Sequence, residues 1–338
     1  MKAAALDVYV CPSCQGSLRP RIDARDGMEI LEGTLTCEGC GASYPIVRGV
    51  PRFVPAGAYA SSFGYQWNTF SKVQLDSATG TTLSEDALRE TTGWSDAVYH
   101  GKRLLDAGVG AGRFAERASA KGAEVFGVDL TVAVDAAYRN IGARPNVHLA
   151  QADIFAMPFR AETFDLAYSI GVLHHTPDPR GAFACVAERV KPEGRFAVYL
   201  YARYGGWHRM SDALRAVTTR LPLRLMRALA AGAIPLYYVH QIPVLGRLTR
   251  LAIPISMEAD WRQRWLDTFD WYTPKYQFKY LYPEVFRWFR DEGFTVVDLG
   301  DGPIRISAVK QPSSEVGHKT DETDVVDDVG SYRQLVAS

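Results

Sequence analysis

Leu104-Leu105-Asp106-Ala107-Gly108-Val109-Gly110-Ala111-Gly112-Arg113-Phe114 decides the reading of this chain. A short apolar run, the mark of a buried strand, passes into three glycines and then into the amphipathic stretch RFAERASAKG, which Gly122 ends as a helix. Glycines at such a turn let the backbone approach a ligand closely, because no Cβ intervenes. The spacing is G-x-G-x-G, so the third glycine comes one residue earlier than in the dinucleotide pattern G-x-G-x-x-G. Asp106 stands just before the turn. A carboxylate there repels a pyrophosphate and suits a ligand with a cationic amino group.

Downstream, strands and helices alternate. EVFGVDL (124–130) predicts a second strand, 133–140 a helix, NVHLAQAD (146–153) a third strand and FDLAYSIGV (164–172) a fourth. PRGAFACVAERVKPEG (179–194) predicts a helix closed by Pro192 and Gly194, and RFAVYLY (195–201) a fifth strand. This rhythm implies a parallel sheet with helices on both faces, binding its ligand beyond the carboxyl ends of the strands. Acidic residues stand at those ends. Asp129 can accept from both ribose hydroxyls of a nucleoside, and Asp153 from an adenine amino group. The fourth strand runs into Gly171-Val172-Leu173-His174-His175.

LLDAGVGAGRF, GVDL, QADIFAMPF, FDLAYSIGVLHH and VKPEGRF together resemble the class I S-adenosylmethionine-dependent methyltransferases, in particular the quinone-biosynthesis and small-molecule branch. The resemblance covers about a hundred residues. It implies a Rossmann-like α/β sheet with S-adenosylmethionine as cofactor. Gly108, Gly110 and Gly112 would line its methionine part, Asp129 would hold the ribose, and Asp153 with Ile154 would face the adenine. Asp106, Arg113, Leu130 and Ser169 complete the candidate cofactor-binding set. Val109 departs from the small polar residue or Cys frequent there, at a position where the backbone makes the contact.

Upstream, Cys11-Pro-Ser-Cys14 and Cys37-Glu-Gly-Cys40 form two C-x-x-C knuckles, which deliver four soft ligands to a tetrahedral zinc ion. Four protein ligands leave no open position, so the predicted Zn²⁺ is structural. With YPIVRGVPRFVP after the second knuckle, residues 1–55 resemble the zinc-ribbon proteins that activate tRNA and translation-factor methyltransferases.

Residues 56–100 read as a cap segment in which Gln66 and Trp67 are candidate cofactor contacts, and 101–310 as the main domain. Within it, 203–280 is a helical insert whose uncharged stretch 228–246 reads as an apolar lid over a hydrophobic acceptor pocket. Between Arg203 and Arg264 ten arginines face three acids, so contact with anionic lipid is a further reading. The polar, acidic stretch 311–338 is expected to be disordered.

The acceptor is expected to be a small hydrophobic molecule, methylated on oxygen or carbon. His174 and His175 are the candidate catalytic residues, able to take a proton from an acceptor hydroxyl; capping a helix or packing in the wall is the plainer alternative. Asp267, Asp270 and Tyr272 could face the acceptor or lie solvated beside a packed aromatic core. Basic and acidic residues balance at 38 each, and no D/N-P-P-Y/F motif follows the fourth strand, so nucleic acid is a disfavoured partner. An rRNA or tRNA methyltransferase and a non-catalytic cofactor-binding scaffold are the alternatives. The thiolate site and the lack of a secretory signal suggest the cytoplasm.

Overall fold

A computed structural model describes residues 1–54, 61–203, 208–300 and 302–312. The stretch expected to be disordered lies, from residue 313 on, outside the described residues.

The ribbon is an antiparallel sheet of β1 (Leu18–Asp26), β2 (Glu29–Cys37), β3 (Ser43–Val47) and β4 (Val50–Pro51). Four short helices follow: α1 (Ser61–Thr69), α2 (Asp76–Thr79), α3 (Leu83–Thr92) and α4 (Asp96–Tyr99). The central domain runs β5 (Arg103–Ala107), α5 (Arg113–Ala120), β6 (Glu124–Asp129), α6 (Ala133–Ile141), β7 (Val147–Gln151), β8 (Phe164–Ile170), α7 (Pro179–Glu188) and β9 (Val190–Leu200). The insert holds α8 (His208–Thr218), α9 (Leu223–Ala231), α10 (Ala233–His240), α11 (Leu245–Ala252) and α12 (Trp261–Tyr272). The described chain closes with α13 (Tyr282–Asp291), β10 (Phe294–Gly300) and β11 (Ile304–Lys310).

The main sheet has the order β10-β11-β9-β8-β5-β6-β7. β5 to β9 pair in parallel, and β11 enters antiparallel between β9 and β10. The order in which strands are added reverses between β5 and β8, so the switch point lies at their carboxyl ends, above the glycine turn. One expected boundary differs. α7 ends at Glu188, and Pro192 and Gly194 already belong to β9. A register shift between Phe164 and Leu166 and a positive φ of 61° at Glu193 absorb the extra residues as a bulge, which bends the strand without ending it.

The ribbon covers the edge at β7. Arg52 bridges Gln151 in parallel, and the Phe53 amide donates to the Gln151 carbonyl at 2.8 Å. Lys2 Nζ donates to the carbonyls of Gly142 and Val147. Tyr9 stacks on Phe159 with ring centres 5.6 Å apart, and ribbon residues Leu35 and Ile46 share one apolar core with Phe126 and Phe164. An exposed strand edge invites aggregation, and the ribbon removes that liability while enlarging the core.

Candidate active site

The β5–α5 turn is held open by backbone geometry. Gly108, Gly110 and Gly112 take φ of 103°, 53° and 91°, a region that side chains strain. The amides of Gly108 and Val109 both donate to the Val128 carbonyl at 2.9 Å, and the Gly110 amide donates to Asp129 Oδ2 at 3.0 Å. The other oxygen of Asp129 accepts from the Thr131 amide and hydroxyl. The carboxylate thus stands fixed beside the turn, with lone pairs left over for a diol.

The turn floors a cavity of about 470 Å³. Of the candidate cofactor residues, Gly108, Gly110, Arg113, Asp129, Leu130, Asp153 and Ile154 line it. Asp153 also caps the short turn after β7, accepting from the Phe155 amide at 3.1 Å through one oxygen. Asp106, Gly112 and Ser169 lie behind the wall. Asp106 accepts from the Tyr168 hydroxyl at 2.9 Å, and burial raises its carboxyl to about 7. Gly112 lets the turn pack on α6, since a Cβ there would stand 2.8 Å from Ile141 Cδ1. The Ser169 hydroxyl donates to the Ala107 carbonyl at 2.8 Å.

The two histidines separate in the same way. His175 lines the cavity at 7 % exposure. Its Nδ1 lies 2.8 Å from the Tyr276 carbonyl, which can only accept, so Nδ1 carries the proton and Nε2 keeps a lone pair. Burial lowers its basicity, while Asp270 opposes the shift. His174 is wholly buried against Tyr201, at 4.0 Å between ring centres, and does not reach the cavity.

α1 and α12 supply the opposite wall. Gln66 and Trp67 line it, with the Trp67 indole so placed that a Cβ on Gly110 would stand 3.2 Å from Nε1. Gln66 Nε2 donates to Asp270 Oδ1 at 3.2 Å, and the Tyr201 hydroxyl donates to Asp270 Oδ2 at 3.3 Å. Tyr199 and Tyr201, at the end of β9, were missed by the sequence reading, although the carboxyl end of a parallel strand is where such residues belong. Tyr272 turns away, donating to the Pro254 carbonyl.

No residue between 208 and 257 lines the cavity among the described residues, so the apolar stretch 228–246 is not its lid. Met226 and Ala230 of α9 pack on Phe269 and Tyr272 of α12, and α12 stands between them and the site. No described helix is long and apolar enough to cross a membrane.

In the ribbon, the sulfurs of Cys11, Cys14, Cys37 and Cys40 lie within 4.8 Å of one another. The Cys11–Cys40 and Cys14–Cys37 separations of 3.7 and 3.4 Å are far beyond a disulfide bond. They fit the edges, about 3.8 Å, of a tetrahedron built on Zn–S bonds of about 2.3 Å. The Gly39 and Cys40 amides point at Cys37 Sγ, as a thiolate requires.

Fold and site together are those of a Rossmann-like domain of the methyltransferase type, preceded by a ribbon whose four cysteines fit a structural zinc ion. Residues 105–198 match the methyltransferase domain family and residues 3–49 the Trm112p-like protein family. The ubiquinone biosynthesis O-methyltransferase of Aromatoleum aromaticum is 36 % identical over 127 residues, covering 33 % of this chain and 54 % of that protein. That of Photobacterium profundum is 37 % identical over 99 residues, covering 28 % and 41 %. The chain spans about half the length of the curated relatives it matches. An S-adenosylmethionine dependent methyltransferase from Mesorhizobium loti aligns with 67 % of this chain and 96 % of its own, at 19 % identity and a TM-score of 0.42.

Proposed function

We propose that this protein transfers a methyl group from S-adenosylmethionine to a hydroxyl oxygen of a small acceptor built on a flat, largely apolar ring. The observation that carries the reading is the fixed tautomer of His175, which lines the cavity floored by the glycine turn and whose Nε2 is left with a lone pair. The relatives' name, ubiquinone biosynthesis O-methyltransferase, agrees in acceptor class.

When bound, the cofactor supplies an electrophilic sulfonium methyl. The glycine turn, Asp129 and Asp153 hold its methionine, ribose and adenine parts. Phe63, Trp67, Tyr199 and Tyr201 offer aromatic faces between which a ring is held for in-line transfer. His175 Nε2 takes the hydroxyl proton as the oxygen attacks, and the nearby Asp270 carboxylate stabilises the imidazolium that forms.

Incubation with methyl-labelled cofactor and a metabolite extract should give a labelled product that moves into organic solvent. Label found only in RNA would overturn the reading.

A further inference from the structure

The cavity wall opposite the glycine turn carries more negative charge than the reaction above uses, since one carboxylate beside His175 would serve it. Asp267 and Asp270 stand three residues apart on α12, and both face the cavity. Their partners are neutral. Asp267 accepts from Gln263 Nε2 at 2.7 Å and Ser256 Oγ at 3.2 Å, and Asp270 from Gln66 Nε2 and Tyr201 OH. Neither forms an ion pair among the described residues, whereas Asp76, Glu85, Glu116 and Asp135 elsewhere in the domain each do. A carboxylate has about four acceptor positions, so each keeps two open. Like charges on one buried face are costly: burial and the neighbouring Asp270 push the Asp267 carboxyl up to about 7, and a cation between the two offsets that cost.

Two further groups mark the same place as built for a ligand. His175 is 7 % exposed, and its Nε2 forms no hydrogen bond among the described residues. Gln66 is 1 % exposed; its amide nitrogen is spent on Asp270, and its Oε1 has no partner among the described residues. Around the carboxylates stand the aromatic rings of Tyr199, Tyr201 and Trp271, which favour a cation over a neutral group. Arg113 lines the same cavity and is attracted through space by both acids, but forms no ion pair with either among the described residues; Arg305, also on the wall, pairs with Glu90.

We infer that the acceptor carries a basic nitrogen, and that Asp267 and Asp270 hold this ammonium group while His175 faces the hydroxyl to be methylated. The inference rests on the O-methyl transfer reading and narrows its acceptor to a hydroxylated ring with an aminoalkyl arm. Such a group satisfies both carboxylates with N–H donors and leaves the ring among the aromatic side chains. A neutral acceptor would leave the pair without a cationic partner, and an acidic one would be repelled.

The test compares three catechols that share their hydroxyls and differ in the charge of one arm: dopamine, 4-methylcatechol and 3,4-dihydroxyphenylacetate. Each is titrated calorimetrically near neutral pH into the full chain saturated with S-adenosylhomocysteine. Dopamine should bind about tenfold more tightly than 4-methylcatechol, with the acid weakest. Asp267→Asn and Asp270→Asn should each erase most of that preference, with thermal melts reporting that the variants fold. Absence of dopamine binding, equal or tighter binding of the neutral catechol, or a preference unchanged in both variants would overturn the inference. Should the variants unfold, the charge series on the unaltered chain decides. The preceding titration with S-adenosylhomocysteine separates the two readings. If it shows no binding, the methyltransferase reading falls, and the charge series then reads the carboxylate pair on the free chain. If it binds and no charge preference follows, the amine site alone is lost.

Discussion

The two halves of the cavity are built by different means. The half proposed for the cofactor comes from consecutive strand ends within about fifty residues, from Gly108 to Ile154, and its shape is set by backbone. The half proposed for the acceptor comes from α1, the end of β9, the turn after β8 and α12, and its shape is set by side chains brought together over long distances. The Gln66–Asp270 bond spans 204 residues. A backbone-shaped half tolerates few substitutions and recurs across many acceptors. A side-chain-shaped half can be rebuilt for a new acceptor without touching the cofactor.

The ribbon gives the harshest way to test whether the cofactor half stands on its own. Its core is continuous with that of the main sheet, so losing the zinc should loosen both. Purified protein should hold about one zinc per chain by elemental analysis. Cys37→Ser should lower the melting temperature by about 10 °C, since a structural zinc is worth several kcal/mol. A variant without metal that melts like the parent would remove the ribbon from the account.

Gly110→Arg strikes the cofactor half directly. The new side chain would start 3.2 Å from the Trp67 indole and fill the space that the cofactor needs. Cofactor affinity should fall by at least about a hundredfold in calorimetry, a loss near 3 kcal/mol at about 1.4 kcal/mol per factor of ten. An unchanged affinity would displace the binding site.

The same contrast explains what could be read from the residues alone. The strand order, the turn, Asp129 and Asp153 are written in local pattern, because a turn after a strand needs glycine and a strand end needs a polar group. Asp106 and Ser169 share that pattern but face the core, since position along a strand does not tell which side of the turn a side chain takes. His174 and His175 are neighbours whose fates were decided by Tyr201 and Tyr276, one at the next strand's end and one about a hundred residues downstream. The uncharged stretch 228–246 suggested a lid, but α12 occupies that position. Hydrophobic composition says that a segment packs, not against what.

His175 sharpens the comparison within the acceptor half. His175→Asn should cut turnover by about a hundredfold or more, with cofactor affinity little changed. His174→Asn should act mainly on stability. Both imidazoles are held neutral by burial, below the usual value of 6.5. Turnover should therefore be flat above that value and fall only as His175 takes a proton in acid. Stability follows the same sign. Between the lowered folded pKa and 6.5 the unfolded chain binds more protons, so stability is complete above pH 6.5 and declines as pH falls below it. A turnover optimum on the acid side would contradict the assignment of the base.

The mildest test lies where the ribbon meets the cofactor half. Arg52 Nη2 pairs with Asp135 in the first turn of α6, and Nη1 donates to Gln151 Oε1 at 3.2 Å. Gln151 Nε2 in turn donates to the Leu130 carbonyl, one residue beyond the ribose-binding candidate Asp129. Arg52→Gln removes the charge of a pair whose side chains are only 10 % and 13 % exposed. Truncating a fully buried pair costs about 3–5 kcal/mol, and an exposed one under about 1 kcal/mol. This pair lies between, and the exposed Arg48, 3.7 Å from Asp135, can partly replace Arg52. A loss of about 2 kcal/mol is expected, seen as a fall of a few degrees in melting temperature. The Asp129 carboxylate is fixed by Gly110 and Thr131, not by Gln151, so cofactor affinity should change by less than about threefold. A large loss of cofactor affinity at unchanged stability would mean that the ribbon shapes the ribose site, and the cofactor half would no longer be a purely local construction.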